Sequence, residues 1–194
     1  MHIEYECRLL DCNVEKFIKV LEENHAEFVG DWIQLRYCYD FTPVRENSWI
    51  RLRTNGKETT LTIKEIKTNK INGTNESEIV VSDFKATDEI LNKLGYTARS
   101  KQENRRIRFM LDDVEIDIDF WPHIPTYVEF EGKSESAIVA VCKKLGLDYT
   151  KLTTIDVSSI YKYYGIDISK SPILTLEEER KIAFKKRNCA NVDL

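Results

Sequence analysis

Histidine is scarce in this 194-residue chain: only His2, His25 and His123 occur, far apart in the sequence. A histidine-based catalytic triad therefore has little material. The five cysteines (Cys7, Cys12, Cys38, Cys142 and Cys189) are odd in number, widely spaced and without a Cys-x-x-Cys pair. That argues against a disulfide scaffold, a structural zinc site and a cysteine hydrolase. With seven glycines, four prolines, no low-complexity tract and no internal repeat, a long linker between two domains is not expected. No run approaches the eighteen or so apolar residues of a membrane span, and the opening Met-His-Ile-Glu-Tyr-Glu lacks the basic and apolar regions of a signal peptide. The expectation is a cytoplasmic protein with no membrane partner. Excess positive charge is missing too, and a net charge of −4 opposes a nucleic-acid-coating role while leaving room for a locally basic pocket.

What is present is ordinary in bulk and unusual in pattern. A content of 42% hydrophobic and 32% charged residues fits one core. Three short stretches alternate acid, apolar, acid: Glu4-Tyr5-Glu6, Asp117-Ile118-Asp119 and Glu129-Phe130-Glu131. Strand side chains alternate faces, so each pair projects both carboxylates from one side. Bases follow the same rule: Arg8 continues the Glu4 and Glu6 face, Arg51 and Arg53 alternate, and Lys64 ends the face of Thr60 and Thr62. A solvated outer face explains any single such strand. Repetition favours a closed sheet with these faces inward, where acids suit a hard divalent metal and arginines suit a polyphosphate.

Residues 2 to 10 read as a strand, and Asn13 can cap a helix carrying Val14, Phe17, Ile18 and Leu21 on one face. Strand patterns occupy 27 to 39 and 48 to 53 on either side of a Thr42-Pro43 break. Residues 58 to 66 and 76 to 81 flank Asn72-Gly73 and read as a hairpin. A short helix is expected over 87 to 94, stopped by Gly95. Strands return at 101 to 111, 114 to 120 and 126 to 131, the last two joined by the rigid Trp121-Pro122-His123-Ile124-Pro125 turn. Ser134 should cap a helix with Ile138, Val141, Cys142 and Leu145 inward, ended by Gly146. Further short helices are expected around 160 to 165 and from Thr175, where Glu178 completes a capping box. Lys185-Lys186-Arg187 reads as a solvated tail. Eight strands suit an antiparallel barrel.

Taken together, Glu4-x-Glu6-x-Arg8, Arg51-x-Arg53, Lys64, the Asp119 strand and Glu129-x-Glu131 resemble the CYTH superfamily, the triphosphate tunnel metalloenzymes. The resemblance covers roughly residues 2 to 145. It implies an α+β fold: an eight-stranded antiparallel β-barrel with flanking helices, a tunnel domain over 1–150 and a helical C-terminal extension, 151–194, packed on the same domain. It further implies Mg2+ or Mn2+ as cofactor and a small-molecule triphosphate, such as tripolyphosphate or ATP, as partner, with a homodimer as the candidate assembly. Carried over by position, Glu4, Glu6, Asp119, Glu129 and Glu131 become metal-side ligands. Arg8, Arg51, Arg53, Lys64 and Arg106 become phosphate-side ligands, with Arg105 and Arg106 pointing to opposite faces so that one lines the tunnel. Lys64 and Tyr39 are the candidates for polarising an attacking water. Glu76 and Glu78 alternate inward in one register and could assist a second metal or orient an arginine.

Two departures stand out. The family's first motif usually ends in lysine, where this chain has Arg8, and Arg36 stands where an aspartate is common. The tunnel residues are compatible with hydrolysis of inorganic or organic triphosphate, with class IV adenylate cyclase chemistry that makes cyclic AMP and pyrophosphate, and with non-catalytic binding of a phosphorylated metabolite.

Overall fold

The computed structural model describes residues 2–170 and 173–176. Strand β1 (His2–Leu9) leads into α1 (Val14–Glu23), where Asn13 accepts a hydrogen bond from the backbone N–H of Lys16 as the sequence anticipates. Strands β2 (Glu27–Tyr39), β3 (Ser48–Thr54), β4 (Thr59–Ile66) and β5 (Thr74–Val81) follow as a meander. Helix α2 (Phe84–Lys93) starts three residues before its expected position. Asp83 caps it through Ala86 N–H, and Phe84 packs edge-on against Tyr37 at 4.9 Å, so tertiary contact recruits a residue that the helical periodicity leaves out. Gly95 then ends the exit from the helix with φ +93°.

The second half adds β6 (Ala98–Leu111), β7 (Val114–Phe120) and β8 (Tyr127–Gly132), then α3 (Glu135–Lys144) capped by Ser134. β6 begins earlier than its own pattern suggests because the long β2 supplies partners as far as Ala98. At the β6–β7 turn, Asp112 and Asp113 both take positive φ, a conformation in which aspartate is among the better tolerated side chains. The chain continues through α4 (Val157–Tyr163), capped by Asp156, to the two-residue β9 (Ile173–Leu174). Glu178 and the rest of the helix expected from Thr175, the Lys185-Lys186-Arg187 tail and Cys189 lie outside the described residues.

Strand order is β2-β3-β4-β5-β1-β8-β7-β6, and β2 pairs with β6 to close an eight-stranded antiparallel barrel. Where β7 has ended, β9 lies parallel to β6 at Lys101 and Gln102. The principal core lies outside the barrel wall, where Ile107, Phe109, Ile116, Ile118, Val128 and Phe130 meet Phe17 and Leu21 of α1 and Ile138, Val141 and Cys142 of α3. A second cluster, Tyr39, Ile50 and Leu52, lies under Leu91 of α2. The third joins Trp121 and Tyr127 to Ile160, Tyr161 and Leu174. It fastens the segment after residue 150 over the barrel end where β1 finishes, where Arg8 and Thr153 also exchange backbone hydrogen bonds. Among the described residues no helix is long and apolar enough to cross a membrane.

Candidate active site

Because the outward positions of these strands are apolar, the alternate positions carry the charges inward. They enclose a cavity of about 280 Å³. Nine of the eleven residues given a metal, phosphate or catalytic role from the sequence line it, Glu4, Glu6, Arg8, Arg51, Arg53, Lys64, Arg106, Glu129 and Glu131, together with Glu76, Glu78 and Arg36. The pair left open by the sequence is resolved: Arg106 faces inward, whereas Arg105 faces out and pairs with Asp31 at 2.8 Å.

Two expected residues lie elsewhere. Tyr39 does not line the cavity; the β2 alternation that brings Arg36 and Cys38 inward sends Tyr39 outward beneath α2, where its hydroxyl donates to Asp88 Oδ1 at 2.7 Å. Burial and that carboxylate raise its pKa, so Tyr39 is a structural residue rather than a group acting on an attacking water. Asp119 is fully buried behind Arg106 instead of facing the cavity. It accepts from Arg106 Nε at 2.8 Å and from Asn104 Nδ2 at 2.9 Å.

One wall, formed by β5, β1, β8 and β7, is acidic. Arg8 bonds Glu129 through Nε at 2.8 Å and Glu6 through Nη2 at 2.7 Å. Lys64 lies 2.8 Å from both Glu4 and Glu76. Burial raises Glu4 to about 8, although Lys64 opposes the shift. Burial also works against the charge of Glu76, but Lys64 and Arg51 outweigh it and hold that carboxyl down at about 2. Burial likewise opposes ionisation of Glu129, yet Arg8 and Arg106 keep it well below the usual carboxylate range. Glu131 faces Glu6 on β1 and Glu115 on β7 in the strand ladders, and has no hydrogen bond or ion pair among the described residues. Burial, reinforced by Glu129, raises it to about 7.

The other wall, built by β2, β3 and β6, gathers Arg36, Arg51, Arg53 and Arg106. Arg106 is neutralised by Asp117, Asp119 and Glu129. Arg51 has only long contacts, 3.4 Å to Glu76 and 3.3 Å to Glu78, and Arg53 reaches Glu78 at 3.5 Å. Repulsion from Arg51, with burial and the other two arginines, lowers Arg53 to about 9. Arg36 falls to about 10 through burial and its arginine neighbours. Like charges gathered on one wall repel, and an anion among them would relieve that repulsion.

Glu76 and Glu78 do face inward and orient Arg51. Arg108, Glu115 and Trp121 belong to the site or its support without having been assigned a role in it, and Asp117, read from the sequence as sharing a face with Asp119, pairs with Arg106 and Arg108. The signal existed for two of them: Arg108 in Arg106-x-Arg108 and Glu115 in Glu115-x-Asp117-x-Asp119 continue the period of two. Trp121 carried no such signal, since it lies in a turn. The carboxylate oxygens on the acidic wall are the donor type that magnesium or manganese requires. Glu131 is the clearest candidate, being half-buried among acids with no ion pair among the described residues, Lys64 acting on it only at longer range. Glu4, Glu6 and Glu129 are turned toward Lys64 or Arg8, and no group of three or more metal-binding side chains is gathered among the described residues.

The fold has known relatives. A conserved hypothetical protein from Pyrococcus furiosus shares 23% identity at a TM-score of 0.68, covering 81% of this chain and 99% of its own. A proposed adenylate cyclase from Vibrio parahaemolyticus shares 14% identity at a TM-score of 0.68, covering 83% of this chain and 98% of its own. A proposed adenylyl cyclase from Hippeastrum, described as having a dominant triphosphatase activity, shares 13% identity at a TM-score of 0.57, over 86% of this chain and 97% of its own. No curated protein matches the chain. The CYTH domain matches residues 2–164, spanning the whole barrel and running into the segment fastened over its end. With the inward charged motifs and the closed eight-stranded tunnel, that match places the chain in the CYTH domain family.

Proposed function

We propose that this chain is a divalent-metal-dependent triphosphate-processing enzyme that hydrolyses inorganic tripolyphosphate or an organic triphosphate. The observation that carries this reading is a single cavity in which an arginine wall, with Arg36 and Arg53 poorly neutralised, faces a carboxylate wall. Glu4, Glu6, Glu129 and Glu131 would hold the metal. Once bound, that ion would neutralise phosphoryl charge and supply an activated water. Asp119 serves in this reading as a positioning residue that fixes Arg106.

Arg51, Arg53 and Arg106 hold phosphoryl oxygens, and little covalent chemistry is asked of the protein, because charge stabilisation and alignment dominate phosphoryl transfer. Lys64 adds a donor between the two walls. Burial and Arg51 oppose its charge, but Glu6, Glu4 and Glu76 more than compensate and raise its pKa. It therefore stays protonated and donates to a phosphoryl oxygen; it does not take a proton from water. Arg8, in place of the family's usual lysine, also cannot act as a base. Metal binding needs ionised Glu4 and Glu131, so it should release protons and strengthen as pH rises. We also take the extension over 151–194 to belong to the same folding unit as the tunnel domain of 1–150.

Cyclisation of ATP uses the same cradle, and fold relatives carry both chemistries in their descriptions. The test is a parallel assay of tripolyphosphate and ATP with magnesium or manganese, reading orthophosphate, pyrophosphate and cyclic AMP from the same samples. Orthophosphate released mainly from tripolyphosphate, and lost with chelator, is the expected result. Cyclic AMP with equal pyrophosphate would replace hydrolase by cyclase, and tight binding without turnover would leave a phosphometabolite binder.

A further inference from the structure

Arg36 of β2 lies directly opposite Arg53 of β3 in the strand ladder, and both line the cavity. Only 7% of Arg36 is exposed. Both of its hydrogen bonds leave from Nη2, to Gln34 Oε1 at 2.8 Å and Asn104 Oδ1 at 2.6 Å, while its Nε is buried without a partner. The guanidinium carbon sits 4.5 Å from the centre of the Trp121 ring, which gives it a flat support. No carboxylate forms an ion pair with it among the described residues; Asp119 acts on it at longer range and is bridged to it by Asn104, whose Nδ2 donates to Asp119. Arg8 and Arg106, by contrast, are each bonded to two or more carboxylates.

A buried guanidinium without a carboxylate is expensive in the empty protein, so the arrangement makes physical sense when an anion completes it. The placement agrees: β2 and β3 stand across the ring of eight strands from β1 and β8, which carry Glu4, Glu6, Glu129 and Glu131. Arginine here, where an aspartate is common in the family, also changes the local charge by two units. We infer that Arg36 and Arg53 form a phosphoryl subsite on the wall facing the acids, and that it selects an unesterified oligophosphate. The inference rests on the triphosphate reading above. Two poorly neutralised guanidiniums favour the substrate with the most charge per phosphoryl, and esterification removes charge. A cavity of about 280 Å³ also lies at the small end for an organic ligand.

The experiment is calorimetric titration of the full chain and of Arg36→Gln, Arg36→Lys and Arg53→Gln with tripolyphosphate and with ATP, with magnesium and with chelator, alongside ligand-free melting. Arg36→Gln should weaken tripolyphosphate binding about 10- to 100-fold, the loss expected for one charged hydrogen-bonding partner. It should weaken ATP less and leave the ligand-free Tm no lower, while Arg36→Lys recovers most of the affinity. Wild-type tripolyphosphate affinity in Arg36→Gln, with loss in Arg53→Gln, overturns the Arg36 subsite but leaves the triphosphate reading intact. Equal losses in Arg36→Gln and Arg36→Lys with a lowered Tm assign Arg36 to packing and overturn it as well. Equal weakening of ATP and tripolyphosphate overturns the unesterified preference, and a wild-type chain that binds neither ligand removes the function reading itself.

Discussion

Strands β7 and β8 bury both of their faces, but in different company: Ile116, Ile118, Val128 and Phe130 point out toward α1 and α3, whereas Asp117, Asp119 and Glu129 point in toward Arg106, Arg108 and Arg8. The outer layer is stable as it stands, because apolar burial needs no partner of opposite sign. The inner layer is satisfied only in part. Asp117 and Asp119 are matched by arginines, but Glu131 and Arg36 have no ion pair among the described residues, and Arg53 has a long one to Glu78 at 3.5 Å. That difference separates a region built to hold the fold from one built to receive charge from outside.

Breaking either layer should be equally damaging, for opposite reasons. Phe130→Ala removes a fully buried ring that packs edge-on to Phe17 at 6.3 Å, and should cost about 3–5 kcal/mol in denaturant unfolding. Arg106→Met removes no comparable apolar area, yet should cost about 3–5 kcal/mol in the same measurement, because it strands Asp117, Asp119 and Glu129. A harmless Arg106→Met would show that these acids are neutralised by something other than Arg106.

Glu131 gives the opposite sign. Its folded pKa, about 7, lies above the ordinary value of 4.5, so the folded state holds a proton that the unfolded state has released. Its contribution is therefore full below pH 4.5 and is lost as pH rises through 7; Glu4, raised to about 8, acts in the same direction. The ligand-free protein should melt lower at pH 8 than at pH 5. Glu131→Gln should recover roughly 1–3 kcal/mol at pH 8 and little at pH 5, while weakening magnesium or manganese binding. A wild-type Tm that rises between pH 5 and 8 would contradict this.

The smallest effect belongs on the barrel's outer surface. Asp31→Ala breaks a bidentate pair with Arg105 in which both side chains are about a third exposed, and should change stability by about 1 kcal/mol or less, less still at high salt. The contrast between Arg105 and its neighbour Arg106 would then be measured directly: the same residue type, one position apart, on opposite faces of one wall.

Local pattern determined a great deal. The cap residues Asn13 and Ser134, the glycine stops and the period of two in Glu4-x-Glu6-x-Arg8, Arg51-x-Arg53 and Glu129-x-Glu131 depend only on neighbours in the chain, so strands, two helices and most of the charged cavity-lining residues were legible before folding. Alternation could not show which parity faces inward when both faces are buried, and so Tyr39 was expected in the site though it anchors α2. Nor could it reveal depth: Asp119 has the right parity, but Arg106 lies between it and the cavity. The early start of α2, the role of Trp121 under Arg36 and the fastening of the segment after residue 150 all depend on groups far apart in the chain. The sequence by itself determined which side chains share a strand face. Only closure of the barrel decided which charges meet, because Coulomb interactions and burial depend on distance in space, and that distance is set by the pairing of all eight strands.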